Sequence, residues 1–140
     1  MRDALADIFR DVRNNFIWRP DDEREIEWNN GKLIIKDIWQ LMQPDSNGVL
    51  RGDCEDFSLY CSKMIKKILE IPKEYRKLTY CETETGEGHM VLVVYIDDRD
   101  YVFDNRQRKL TSLRKLKRSG YKDFAQPDGP INSVWREIDA

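Results

Sequence analysis

Residues 52–72 read GDCEDFSLYCSKMIKKILEIP and carry the most regular pattern in the sequence. Their apolar side chains recur at helical spacing on one face, whereas lysines occupy the other. The apolar face consists of Cys54, Phe57, Cys61, Met64, Ile65 and Ile68. Asp53 is the expected N-cap, Asp56 completes an approximate capping box three residues later, and Pro72 ends the segment. The stretch therefore predicts an amphipathic helix whose first residue is a cysteine.

The region before this helix is also expected to be helical. Residues 2–18 place apolar side chains at helical spacing among charged ones, which predicts an amphipathic helix ending near Pro20. The polar stretch 21–31 has room for one more helical turn, and a second apolar pattern covers residues 34–42. Residues 44–48 include a proline, an asparagine and a glycine, which impose a loop.

In the second half of the chain, the pattern of apolar residues changes from a helical period to one typical of strands. Strands are predicted at Leu78–Glu82, Met90–Ile96 and Tyr101–Phe103, and a turn at residues 97–100 joins the last two as a hairpin. Helices followed by a sheet indicate the α+β class. The predicted arrangement packs N-terminal helices, one of them carrying the cysteine at its start, on an antiparallel sheet.

Length and charge narrow the class of protein. A chain of 140 residues favours a single domain spanning residues 1–140. The 24 Lys and Arg residues against 26 Asp and Glu give a net charge of -2, so nucleic acid is not the expected partner. The longest apolar run, Met90–Ile96, is far shorter than the ~20 residues of a membrane helix. Residues 1–18 contain no apolar core of a secretory signal, so a cytoplasmic location is expected.

The chain contains three cysteines, which is an odd number, and it is long enough to fold without disulfide bonds. The cysteines are therefore expected to be free thiols. Cys54 has a special position, because a thiol at the start of a helix faces free backbone N–H groups and the positive end of the helix dipole. Both features favour the thiolate, which is the nucleophilic form. The neighbouring acids Asp53 and Glu55 oppose ionisation, so a cationic partner for the sulfur is expected.

The chain contains one histidine, His89, at the entrance to its most apolar predicted strand. It is the candidate base for Cys54, and such a base needs a third group, often a carboxylate, to hold it in one tautomer. Asp104 fits this role, because it ends the strand that pairs with the strand opened by His89. The two residues are therefore expected at the same edge of the sheet. Together the three predict a thiol enzyme with a Cys-His-Asp site.

Each of these residues also has a purely structural interpretation. A cysteine on an apolar helix face is most often a packing residue, and a histidine or aspartate beside turn residues is most often exposed. A zinc site made of Cys54, Cys61, Cys81 and His89 is another alternative. Cys54 and Cys61 would lie about 10 Å apart along one helix, which is too far for two sulfurs on one zinc ion.

Three separate motifs carry a resemblance to a known family. They are Gly52-Asp53-Cys54-Glu55-Asp56-Phe57-Ser58, Gly88-His89-Met90-Val91-Leu92-Val93 and Val102-Phe103-Asp104-Asn105. In this order they resemble the bacterial transglutaminase-like cysteine peptidase family, over about residues 35–138. The resemblance implies a papain-like fold with Cys54 as nucleophile, His89 as general base and acid, and Asp104 as the residue that orients it. It also implies Trp39 as the aromatic side chain that helps the nucleophile's backbone N–H bind the oxyanion.

The same resemblance suggests a metal ion and an origin. Periplasmic members, which include proteases that release biofilm adhesins, bind calcium beside the nucleophile, and Asp53 and Asp56 match their acids. Calcium is therefore an optional ligand and not an expected requirement; the alternative is that both acids only cap the helix. The chain is shorter than those members and shows no export signal. It resembles a minimal, phage-encoded relative, for which the host cytoplasm is the expected location.

The sequence leaves more than one function open. A hydrolase that cleaves a peptide or carboxamide bond of a protein or peptide substrate is the first, and transglutaminase or deamidase activity on glutamine is its variant. A binding module is the second, because residues 106–122 contain eight Lys or Arg and no acid. Leu110, Leu113 and Leu116 run through that segment, which indicates a short amphipathic helix with a basic face. Neither the substrate nor the oligomeric state follows from the sequence.

Overall fold

The computed structural model describes residues 1–19 and 42–127, together with the backbone of residues 26–29, 32–35 and 135–137. Its elements in chain order are α1 (Arg2–Asn14), β1 (Phe16–Trp18), β2 (Ile26–Asn29), β3 (Lys32–Ile35), β4 (Leu50–Gly52), α2 (Cys54–Leu69), a 3₁₀ turn (Lys73–Tyr75), β5 (Arg76–Glu82), β6 (Gly88–Ile96), β7 (Arg99–Phe103), α3 (Leu113–Arg118), β8 (Lys122–Pro127) and β9 (Trp135–Glu137). Within the described residues, no helix has both the length and the apolar character needed to cross a membrane.

The N-terminal helix is shorter than predicted. It ends at Asn14, and residues 16–18 form β1, which pairs in parallel with β4. Phe16 lies opposite Leu50, and its ring contacts that of Phe57 with centroids 5.0 Å apart. The partner strand lies more than thirty residues away, so the local helical spacing could not reveal this pairing. The polar stretch 21–31 was expected to have room for one more helical turn. Its residues 26–29 instead form a strand that pairs with residues 32–35.

Five strands form an antiparallel sheet in the order β7, β6, β5, β8 and β9. The three predicted strands are confirmed, each extended by one or more residues at its start. Leu92 of β6 lies opposite Phe103 of β7, and Cys81 of β5 lies opposite His89. This register places the start of β6 and the end of β7 next to each other, at the same end of the two strands.

The central strand β6 is buried on both faces, so its residues divide the core in two. Leu92 and Val94 belong to the cluster that α1 and α2 form with the sheet. Val91 and Val93 belong to the cluster under α3. The first cluster contains Leu5, Ile8, Phe9, Val12, Met42, Leu50, Phe57, Cys61, Ile65, Ile71, Leu92, Val94 and Phe103. The predicted helix in the basic segment is confirmed, with Leu113 and Leu116 buried.

Candidate active site

The start of α2 is fixed by a capping box. Asp53 Oδ1 accepts hydrogen bonds from the backbone N–H groups of Glu55 at 3.0 Å and Asp56 at 3.1 Å. In return, Asp56 Oδ2 accepts the backbone N–H of Asp53 at 2.9 Å. A Cβ atom on Gly52 would lie only 2.5 Å from Asp56 Cβ, so a glycine is required at the approach to the cap. These contacts hold Cys54 as the first residue of the helix.

Cys54 lies against the start of β6. Its side chain packs against Met90, the residue that follows His89. Ser58, one turn further along α2, donates its hydroxyl to the Cys54 carbonyl at 2.8 Å and lies 3.3 Å from the Met90 carbonyl. The buried Ser58 hydroxyl thus ties the first turn of α2 to the strand that carries the histidine.

The surroundings of Cys54 disfavour ionisation of its thiol, contrary to the expectation from its position at the helix start. Burial raises its pKa to about 12, and the charges of Asp53 and Glu55 also raise it, whereas the Met90 N–H lowers it. The positive end of α2 is already engaged, because the carboxylates of the capping box accept its N–H groups. The sulfur therefore needs a base to remove its proton.

His89 and Asp104 are in direct contact. His89 Nε2 lies 2.7 Å from Asp104 Oδ1, and both side chains are buried. The register of the β6–β7 hairpin produces this contact, because His89 stands three residues before Leu92 while Asp104 directly follows its partner Phe103. With Nε2 bound to the carboxylate, Nδ1 is the ring nitrogen that can exchange a proton with a thiol.

The carboxylate of Asp104 is fixed by several donors. Oδ1 also accepts the backbone N–H of Arg106 at 3.0 Å, and Oδ2 accepts the hydroxyl of Tyr121 at 2.8 Å. Burial alone would raise the pKa of Asp104, but the hydrogen bond and charge of His89, with the other donors, hold it below its ordinary value. Asp104 is therefore an ionised, immobile acceptor for the imidazole.

A polar network behind Asp104 was missed by the sequence analysis. Arg106 donates to the Tyr121 hydroxyl at 2.9 Å and forms a two-point ion pair with Glu84. Its guanidinium also lies 5.4 Å from the centroid of the Tyr121 ring. Arg106 had been assigned to a basic surface segment, and Tyr121 had no assigned role. Only the path of the chain through α3 brings Tyr121 back to a carboxylate 17 residues earlier.

Cys54 and His89 both lie near the first residues of β6, on opposite faces of the sheet. Cys54 packs with Met90 on one side of the sheet. His89 lies on the same face of β6 as Val91 and Val93, because alternate residues of a strand share a face. Its ring packs edge to face against that of Tyr121 on the α3 side, with centroids 6.0 Å apart. The site therefore forms where β6 begins, directly after the turn that contains Gly86.

A comparison with known protein families gives this arrangement a context. Residues 25–140 match the family described as bacterial transglutaminase-like cysteine proteinase BTLCP. The chain belongs to this family. It is a transglutaminase-like cysteine peptidase, as the three sequence motifs predicted. Among curated proteins, none matches the sequence.

Solved structures of Legionella pneumophila LapG are similar to this cysteine peptidase. The calcium-bound form is 20% identical with a TM-score of 0.59, and the match covers 91% of this chain and 70% of that one. A second LapG structure is 17% identical with a TM-score of 0.56, with the same two shares covered. The EGTA-treated form is 18% identical with a TM-score of 0.53, covering 87% of this chain and 66% of LapG. At this identity the similarity confirms the α+β transglutaminase-like fold alone.

The other sequence-predicted site residues have different outcomes. Trp39 lies outside the described residues. Asp53 and Asp56 form the capping box, and no group of three or more His, Cys, Asp or Glu side chains within residues 1–19 and 42–127 is placed to hold a metal ion. The zinc alternative has no support there, because Cys61 and Cys81 are free thiols buried in different core clusters.

Replacing Tyr121 with phenylalanine tests the network behind Asp104. The change removes one hydrogen-bond donor to Asp104 and one acceptor of Arg106. We therefore expect the free energy of unfolding to fall by about 1–2 kcal/mol. We expect kcat to fall several-fold, because His89 and the backbone N–H of Arg106 still hold Asp104. The pKa of Asp104 should rise, since the Tyr121 hydrogen bond lowers it, and the acidic limb of the pH–rate profile should move to higher pH.

A tyrosine outside this network provides the control for that change. Tyr75 is 49% exposed, and Tyr75→Phe should leave the stability and the pH–rate profile as in the wild type. A Tyr121→Phe enzyme with an unshifted acidic limb would show that the hydroxyl does not act on Asp104 during the reaction.

Proposed function

We propose that this cysteine peptidase hydrolyses peptide bonds with Cys54 as nucleophile, His89 as general base and acid, and Asp104 as the positioning residue. One observation carries the proposal: Asp104 anchors the imidazole of His89 at 2.7 Å, and Cys54 packs against Met90, the residue next to that histidine on β6. Cysteine peptidase chemistry needs a thiol, a base and a group that orients the base.

The reaction starts from a neutral thiol. As Sγ of Cys54 attacks the substrate carbonyl, its proton passes to Nδ1 of His89, and the negative charge of Asp104 stabilises the resulting imidazolium. The imidazolium then protonates the leaving amine, which departs and leaves a thioester on Cys54. His89 next removes a proton from water, and the oxygen of that water attacks the thioester carbonyl. The C–S bond then breaks to release the acid, and the imidazolium returns its proton to the departing sulfur of Cys54.

The backbone N–H of Cys54 is the proposed donor to the oxyanion. The cap uses the N–H groups of Glu55 and Asp56, and the N–H of Phe57 binds the Asp53 carbonyl. The N–H of the nucleophile itself therefore takes no part in these capping contacts. Preorganised backbone donors of this kind stabilise the charge that develops in acyl transfer. The contribution of Trp39 stays a prediction.

Alkylation of the thiols tests the proposed base. We expect iodoacetamide at pH 7 to modify Cys54 and to spare Cys61 and Cys81, which are fully buried. Because the Cys54 pKa is about 12, the reaction at pH 7 depends on proton transfer to the imidazole. A His89→Asn variant should therefore react about 100-fold more slowly. Peptide mapping by mass spectrometry gives the modified residue and the rate.

Denatured protein serves as the control for this labelling, since all three thiols should then react equally. A native Cys54 that reacts only above about pH 9, at a rate that does not change in His89→Asn, would contradict the proposed role of His89.

Calcium binding at the start of α2 is the second part of the proposal. Three acidic residues lie in this turn, Asp53, Glu55 and Asp56, and the last two are only 7% and 5% exposed. Among the described residues, their side chains do not already form a metal-binding group, so calcium would have to draw their carboxylates together. Carboxylate oxygens are ligands that Ca²⁺ prefers, and a cation would offset the repulsion between neighbouring buried acids. The remaining ligands would be backbone carbonyls, water or groups outside the described residues. A bound cation would supply positive charge next to the Cys54 sulfur.

The melting temperature provides a test of calcium binding that is independent of activity. We expect millimolar calcium to raise it by several degrees relative to EGTA, because a ligand that binds only the folded state stabilises that state. Asp53→Asn is the matched variant, since asparagine still caps a helix but lacks the charge. Its melting temperature should not respond to calcium. Equal melting temperatures of the wild type in calcium and in EGTA would show that these acids only cap the helix.

A further inference from the structure

A basic groove lies on the face of the molecule where α1 meets the start of β7 and the loop before α3. It has a volume of about 520 Å³. Its walls are basic, and the cations that line it are Arg2, Arg10, Arg99, Arg108, Lys109 and Lys115. Ala6 and Tyr101 also line it. None of these cations takes part in the proposed chemistry.

The positive charge of this basic groove is poorly neutralised. Within residues 1–19 and 42–127, Arg10 forms an ion pair with Asp7, while Arg99 and Lys109 form none. Asp100 is the acid in the lining, and its Oδ2 accepts the backbone N–H of Leu113 at 2.6 Å. Clustered cations without local partners repel one another, so an anionic ligand would bind here with a favourable electrostatic energy.

The basic groove is separate from the proposed active site but connected to it. Arg99 begins β7 and Asp104 directly follows its end, which places the two about 17 Å apart along the strand. The segment from Asp104 to Ser112 returns from the site to the groove, and Thr111 pairs with Val102 on the way. An extended peptide of about five residues covers the same distance.

We propose that the basic groove binds an acidic segment of the protein substrate, at least about five residues from the bond that is cleaved at Cys54. This inference rests on the proposed peptidase function, and it assigns the substrate class as a protein with a run of Asp or Glu. The net charge of -2 disfavours nucleic acid as the ligand, because a nucleic-acid surface is normally basic over a wider area. The groove holds the substrate by charge, while Cys54 reacts with it at the other end of β7.

Binding of a labelled peptide tests the basic groove without any cleavage step. Fluorescein-labelled hexaglutamate is titrated with the enzyme and followed by fluorescence anisotropy, with hexaglutamine as the neutral probe. We expect hexaglutamate to bind at least tenfold more tightly than hexaglutamine. Raising the salt from about 50 to about 300 mM should weaken its binding several-fold, since exposed charges are screened.

Charge reversal locates the binding. The double variant Arg99→Glu, Lys109→Glu should bind hexaglutamate at least tenfold more weakly than the wild type. Lys66→Glu, Lys67→Glu is the matched control, because these lysines are exposed on α2 and do not line the groove. It should bind within twofold of the wild type. Both double variants are first checked for an unchanged melting temperature.

The outcomes separate this inference from the peptidase proposal. Cys54→Ala should bind hexaglutamate like the wild type, so a failed cleavage assay would not affect the result. Equal binding of hexaglutamate and hexaglutamine, or equal losses in the two double variants, would overturn the groove assignment. A six-nucleotide thymidine oligomer that binds ten times more tightly than hexaglutamate would show that the groove takes a phosphate backbone instead.

Discussion

Cys54→Ala is expected to lower kcat/KM by at least about 10⁴-fold, because the variant has no atom that can form the acyl-enzyme. The fold should remain, since the capping box depends on Asp53 and Asp56 and not on the thiol. Cleavage of a proteome-derived peptide library, quantified by mass spectrometry, measures the loss without a known substrate. The melting temperature should change by only a few degrees.

Cys61→Ala is the matched control for this change. Cys61 lies on the same helix, fully buried in the core, and contributes packing alone. The variant should lose about 1 kcal/mol of stability and keep its activity. If Cys54→Ala cleaved the library as fast as Cys61→Ala, Cys54 could not be the nucleophile.

Asp104→Ala is expected to damage both stability and activity. The carboxylate accepts hydrogen bonds from His89, Arg106 and Tyr121 in a fully buried position, so its removal leaves buried donors without acceptors. At about 1–3 kcal/mol for each unsatisfied group, the free energy of unfolding should fall by about 3–5 kcal/mol. Urea denaturation measures this loss. With the imidazole no longer oriented, kcat/KM should fall by about 10³-fold or more.

Asp104→Asn separates the two effects. Its amide oxygen can still accept from His89 and from the Arg106 backbone, so most of the stability should return. An amide carries no charge to stabilise the imidazolium, and we expect kcat/KM to stay about 10²-fold below the wild type. Wild-type stability in Asp104→Ala would contradict the observed hydrogen bonding, whereas wild-type activity in both variants would exclude Asp104 from the mechanism.

A comparison of the wild type with Asp104→Asn also tests the stability at acidic pH. Because the pKa of Asp104 is lower in the folded protein than in the unfolded chain, its contribution to stability is present above about pH 4. That contribution is lost as the pH falls through the folded-state pKa, since unfolding then takes up a proton. The free energy of unfolding should therefore decline less steeply between about pH 5 and pH 3 in Asp104→Asn than in the wild type.

The sequence predicted those parts of the molecule that local patterns determine. The capped helix that begins at Cys54 follows from a single run of side chains with a helical period. The hairpin that joins His89 to Asp104 follows from two strands and a short turn, so their contact needed no distant information. The family could also be assigned, because its three motifs are short and continuous.

The sequence could not predict what distant segments contribute. The parallel pairing of Phe16 with Leu50 and the contact of Tyr121 with Asp104 depend on the path of the whole chain. The raised pKa of Cys54 depends on burial, which the helix position alone does not indicate. The extent of the domain, the cytoplasmic location and the phage origin stay predictions.

The N-terminal helix has a consequence for how the enzyme should be expressed. The segment that matches the family starts at residue 25, so it omits the whole of α1 and β1. Yet Phe9 of α1 contacts both Phe57 of α2 and Phe103, the residue before Asp104, at ring distances of 6.0 and 5.7 Å. A protein truncated at the family boundary would therefore expose to solvent the buried face of the helix that begins with Cys54.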